Sequence, residues 1–110
     1  MDTLNSKLNN ELNMGRIKRL SGSFAENNPV VTCVDGYTIS IQCQLHNYCE
    51  PRKNLTDVKG YYSFELGFPS KLDALINPYA EEQGTTETVF PYVPRSVVVE
   101  LLRSHGGIVE

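Results

Sequence analysis

One stretch constrains this chain more than any other. Tyr37, Ile39, Ile41, Cys43 and Leu45 interleave with Thr38, Ser40, Gln42, Gln44 and His46. Successive side chains of a β-strand point to opposite faces, so this stretch predicts a strand with one apolar face and one uncharged polar face. A strand of that kind belongs in an antiparallel sheet covered on one side. The residues before it supply a partner. Pro29-Val-Val-Thr-Cys33 reads as a short strand, and Asp35-Gly36 suits a two-residue hairpin turn between the two.

The cover for the apolar face lies at the other end of the chain. Pro94 can start a helix, Val97, Val98, Leu101 and Leu102 recur on one face, Arg103 and His105 sit near the C-terminal dipole, and Gly106 is placed to cap. Between these elements, residues 47–60 read as a loop of functional length. Tyr61 to Phe68 reads as a further strand with Tyr62, Phe64, Leu66 and Phe68 on one side. Ser70 and Asp73 resemble a capping box opening one or two helical turns, with Leu72, Leu75, Ile76 and Tyr79 inward. Glu87 to Val93 reads as a last strand, which Pro91 restricts to an edge or a break. The expected fold is α+β: a small, mostly antiparallel sheet of three or four strands, one C-terminal helix packed on one face, a short helical insert and an N-terminal extension.

With 110 residues the chain is long enough for one core and too short for two ordinary domains. Residues 29–110 are read as the single domain and residues 1–28 as an extension, either a short helix or disordered. The extension is crowded with asparagine, and Leu4, Leu8 and Leu12 could share one helical face between Thr3 and Gly15. Three leucines cannot hold an isolated helix in water. Arg16-Ile-Lys-Arg19 reads as a solvated linker. No apolar run approaches the roughly 18 residues of a membrane span, and the start lacks the basic-then-apolar order of a secretory signal. No membrane partner and a cytoplasmic location are therefore expected. The net charge of -3 has the wrong sign for general attraction to phosphate backbones, so direct nucleic-acid binding is not expected.

Chemistry is thinly signalled. Cys33, Cys43, His46 and Cys49 supply the four donors of a Cys3His zinc site, but they lack the paired Cys-x-x-Cys knuckle, and packed free thiols are the simpler use. Cys49 with His46 or His105 could form a nucleophile pair, yet no motif supplies an oxyanion hole. Glu81 and Glu82 read as solvated turn charges. Gly106-Gly107 follows a helix instead of preceding one, which suits a cap and not a phosphate cradle. Tyr48, Tyr61, Tyr62, Phe64 and Phe68 beside Arg52 and Lys53 suggest core and sheet packing over single-stranded RNA binding, since neither an RNP pattern nor a basic excess is present. The chain is accordingly read as no enzyme and as carrying no cofactor.

What remains is the polar strand face. A row of uncharged hydrogen-bonding side chains suits a partner strand, a second copy of the domain or a small polar ligand. Thr38, Ser40, Gln42, Gln44 and His46, with Tyr48, Arg52 and Lys53 from the following loop, are the expected partner-binding residues.

The strings Cys33-Val-Asp-Gly-Tyr-Thr-Ile-Ser-Ile-Gln42, His46-Asn-Tyr-Cys-Glu-Pro-Arg52, Gly67-Phe-Pro-Ser70, Pro91-Tyr-Val-Pro94 and His105-Gly-Gly107 resemble a family of small bacteriophage-encoded proteins of no settled activity. The likeness spans about residues 30 to 109, and its motifs are turn and strand-end punctuation. It implies a phage accessory protein working in the host cytoplasm as a stoichiometric inhibitor of a host defence protein complex, in the manner of anti-CRISPR and other anti-defence proteins. The alternatives are a small-molecule sponge for a nucleotide signal at a homodimer interface, contacted by His46, Tyr48, Arg52 and Lys53, and a virion or scaffold component.

Overall fold

A computed structural model describes residues 30–53 and 60–109; the extension read over residues 1–28 lies outside them, as does part of the 47–60 loop. Strands β1 (Val31–Thr32), β2 (Thr38–Gln42), β3 (Ser63–Gly67) and β4 (Val89–Pro94) form one antiparallel sheet in the order β1-β2-β3-β4. Helix α1 (Arg95–Ser104) follows β4 directly, so the fold is α+β as the sequence predicts.

The hairpin from β1 to β2 pairs Val31 with Ile39 and Thr32 with Thr38. Its loop holds three residues, Val34, Asp35 and Gly36, where the sequence predicts a two-residue turn. Cys33 N–H donates to Tyr37 O at 2.8 Å, and Gly36 N–H donates to Cys33 O at 2.9 Å. Gly36 alone in the loop has positive φ, at 95°, whereas the two-residue type I′ turn needs it at both central positions.

The apolar alternation builds the core. Ile39 and Ile41 of β2, Phe64 and Leu66 of β3, and Phe90 and Val93 of β4 are fully buried. Val98, Leu101 and Leu102 of α1 close over them, with α1 lying against β3 and β4. Pro94 stands just before the first turn of α1, and Arg95 N–H finds Tyr62 O at 3.0 Å. At the other end Gly106 N–H donates to Arg103 O at 3.0 Å and Gly107 N–H to Leu102 O at 2.8 Å. This pair of bonds is a Schellman cap, and the left-handed φ of 88° at Gly106 permits it. The chain then turns back along β1, with Ile108 bridging Cys33 and Val109 N–H donating to Thr32 O at 2.8 Å. This return covers the free edge of β1. The opposite edge, β4, carries Pro91 and Pro94, which cannot donate to an added strand.

Three expectations are corrected by long-range pairing. The strand predicted through His46 ends at Gln42. Beyond it the chain makes an excursion, and Glu50 takes the place beside Ser63. Gln44 is consequently buried and Leu45 is 46% exposed, the reverse of the alternation. In the third strand only Phe64 and Leu66 face the core; Tyr62 and Phe68 flank it at 63% and 60% exposure. Phe68 has a φ of 50°, which turns its ring out of the strand's pattern. Ser70 opens no helix. Its hydroxyl accepts Thr38 N–H at 3.0 Å and its N–H donates to Thr38 O at 2.8 Å, latching this segment to the start of β2. The helical insert contracts to one 3-10 turn, Asn77–Tyr79. Ile76 is buried as expected, while Leu72 and Leu75 are exposed.

Candidate functional site

The face of the sheet away from α1 carries Thr38, Ser40 and Gln42 of β2, with Gly67 and Glu65 of β3 opposite Ser40 and Gln42. Gln42 donates from its amide nitrogen to Ser40 Oγ at 2.8 Å. The excursion after Gln42 crosses this face. Tyr48 N–H donates to Glu65 Oε1 at 2.7 Å on β3, and Tyr48 O accepts Tyr92 N–H at 3.0 Å from β4. That crossing corrects the open row expected from the sequence: Gln42 and Gln44 are buried at 7% and 8% exposure, and Thr38 and Ser40 are half-buried. His46, Tyr48, Arg52 and Lys53 are exposed.

Tyr92 reaches this face because β4 bulges. Phe64 pairs with Val93 and Leu66 with Phe90, so Pro91 and Tyr92 both stand opposite Glu65. A bulge of that kind re-aims a side chain. Tyr92, with φ 55°, presents its ring 6.0 Å from that of Tyr48. Arg52 places its guanidinium 5.4 Å from the Tyr48 ring centroid, within cation–π range. Beyond the crossing loop, Ser40, Gln42, Asn47, Glu65, Phe68 and Val89 enclose a recess of about 110 Å³. The side-chain oxygen of Asn47 is buried with no hydrogen-bond partner. Of the residues that form this face, the sequence indicates Thr38, Ser40, Gln42, Tyr48 and Arg52, and does not indicate Glu65, Phe68 or Tyr92 as binding residues. Pro91 beside Tyr92 was the available signal, since proline within a strand pattern marks a bulge or an edge.

A second cluster joins three turns. His105, at the C-cap of α1, sits between two carboxylates: Nδ1 is 2.7 Å from Asp35 Oδ2, and Nε2 is 2.8 Å from Asp73 Oδ2. Tyr37 stacks on the imidazole with centroids 3.9 Å apart. Burial pulls the His105 pKa down, but the hydrogen bonds and charges of Asp35 and Asp73 together outweigh it and leave it above the ordinary value. Asp35 is held below the usual carboxylate range by the Tyr37 N–H first and by His105 second. The imidazolium form lets both ring nitrogens donate, which leaves neither free to take a proton from a substrate. The arrangement joins the hairpin loop, the segment after β3 and the end of α1.

The cysteines do not assemble a site. Cys33, Cys43 and Cys49 are buried free thiols, and His46 is exposed. Among the described residues no three histidine, cysteine, aspartate or glutamate side chains are placed to hold a metal ion. Burial first, and the Asp35 charge second, push the Cys33 thiol up to about 11, far from a reactive thiolate at neutral pH. The hydroxyl of Tyr37 is also pushed up, chiefly by burial. Cys49 Sγ points at Gln44 O, 3.4 Å away, inside the excursion.

No helix among the described residues is long and apolar enough to cross a membrane. No family model, curated protein or solved structure matches the chain.

Proposed function

We propose that this protein works by stoichiometric contact with a partner protein, seated on the sheet face rimmed by Tyr48, Tyr92 and Phe68. The observation that carries this reading is the Tyr48–Tyr92 pair. Both residues are 41% exposed, yet their backbones are tied to each other, and Tyr48 is tied to β3 as well. Exposed aromatic side chains on an ordered backbone supply contact area at small entropic cost, and such residues are enriched in binding hot spots. The guarded edges of β1 and β4 favour a partner that sits on the face over one that adds a strand.

The class of partner we put first is a host defence protein complex, which is what the resemblance read in residues 30–109 to small bacteriophage proteins implies. Inhibition by contact needs no active site, and it fits a chain whose histidine between carboxylates has both ring nitrogens occupied. The alternative reading is a nucleotide sponge at a homodimer interface contacted by His46, Tyr48, Arg52 and Lys53; the recess of about 110 Å³ on one chain falls below the roughly 300–1,000 Å³ of small-molecule sites, so that reading needs the second copy.

The test is capture from a bacterial lysate by the immobilised full chain, followed by native mass spectrometry. A host protein recovered at fixed ratio, and whose activity falls on adding the chain, supports the reading. Recovery of a retained nucleotide or a homo-oligomer alone would replace it with the sponge or the scaffold component.

A further inference from the structure

The recess on the sheet face has a chemistry of its own. Glu65 lines it, half-buried, with Oε1 accepting the Tyr48 N–H. Among the described residues no lysine, arginine or histidine forms an ion pair with Glu65. Asn47 lines the wall, and its side-chain oxygen is buried with no hydrogen-bond partner. Ser40 Oγ is already engaged as an acceptor by Gln42. The recess therefore holds a carboxylate that has no counter-charge among the described residues. Phe68, 60% exposed with φ 50°, stands at its rim as an apolar wall.

We infer that this recess receives an arginine side chain of the partner protein. The inference rests on the reading that the face is a protein-binding surface, and it names what the partner presents there. A guanidinium offers a planar fork of donors that matches a carboxylate, and its flat face stacks on an aromatic ring. Both complements stand on the recess, the first at Glu65 and the second at Phe68. The volume of about 110 Å³ suits the head of one side chain. The chain's own Arg52 already lies over Tyr48 of the same face, so the aromatic rim tolerates a guanidinium.

The experiment titrates the isotope-labelled full chain with acetyl-Gly-Arg-Gly-amide and follows its backbone amide signals. Matched peptides carrying citrulline or lysine in place of arginine are the controls. The inference expects shifts at Ser40, Gln42, Glu65 and Phe68 with the arginine peptide, little change with the citrulline peptide, and binding weakened roughly tenfold in Glu65→Gln. Glutamine keeps an oxygen for the Tyr48 N–H, and the comparison between peptides on the unaltered chain needs no variant at all. Equal binding of the citrulline or lysine peptide, or no shift at these residues, overturns the inference. A partner protein bound equally by the unaltered chain and by Glu65→Gln would sink the arginine site and leave the binding surface standing. Arginine-specific shifts in a chain that captures no protein would do the opposite.

Discussion

Tyr37 and His105 lie ring on ring, 3.9 Å apart with planes only 4° from parallel, although one stands after the hairpin loop and the other at the end of the last helix. The stack gives the imidazole a fixed orientation, and Asp35 and Asp73 hold it at both ring nitrogens. Three turns are thereby coupled through one titratable ring.

Stability should fall as pH rises through the neutral range. The folded pKa of His105 lies above its ordinary value of 6.5, so its stabilising contribution is fully present below that value and is lost as pH climbs through the folded pKa. The Asp35 shift acts in the opposite sense: its contribution is present above the ordinary 3.8 and is lost as pH falls through the lower folded value. Melting temperatures recorded from about pH 5 to about pH 9 should decline more steeply for the unaltered chain than for His105→Asn. Parallel curves would mean that the ring does not bind its proton more tightly in the folded state.

Gly106→Val should destabilise the domain by about 2 kcal/mol or more. The position has a φ of 88°, and an added Cβ would stand 3.0 Å from the Cβ of Val34. Chemical denaturation measures the loss, and an unchanged midpoint would contradict the cap.

The three thiols should resist alkylation in the native protein at neutral pH and react together on unfolding. Cys33, Cys43 and Cys49 are all buried, and the Cys33 thiol is pushed up to about 11. A thiol count with a chromogenic disulfide, with and without denaturant, reads this directly. One rapidly reacting native thiol would reopen the case for a reactive cysteine.

Local pattern made some of this legible and left the rest hidden, for a physical reason. The α1 stripe of Val98, Leu101 and Leu102, the cap at Gly106 and the edge position of Pro91 are all set by residues within a few positions of one another, and each stands where its pattern points. The alternation of burial holds through Ile41 and breaks at Gln42 and Gln44, both buried, because the chain leaves the sheet after Gln42 and Glu50 takes the place beside Ser63. Asp35, Asp73 and His105 occupy a turn, an apparent cap and a helix end, and each has a sufficient local explanation. Nothing in their spacing announces that they meet. Positive φ at Phe68 and Tyr92, which directs both rings to the candidate face, is likewise set by tertiary pairing and not by residue type.

The central claim is that the face around Tyr48 and Tyr92 binds a partner, and a titration of the captured partner against paired variants tests it most directly. Tyr48→Ser with Tyr92→Ser should keep the melting temperature within a few degrees and weaken binding by roughly a hundredfold or more. Leu72→Ser with Leu75→Ser, on the exposed segment after β3, should leave affinity unchanged. Full affinity in the tyrosine double variant, with the fold intact, would contradict the account.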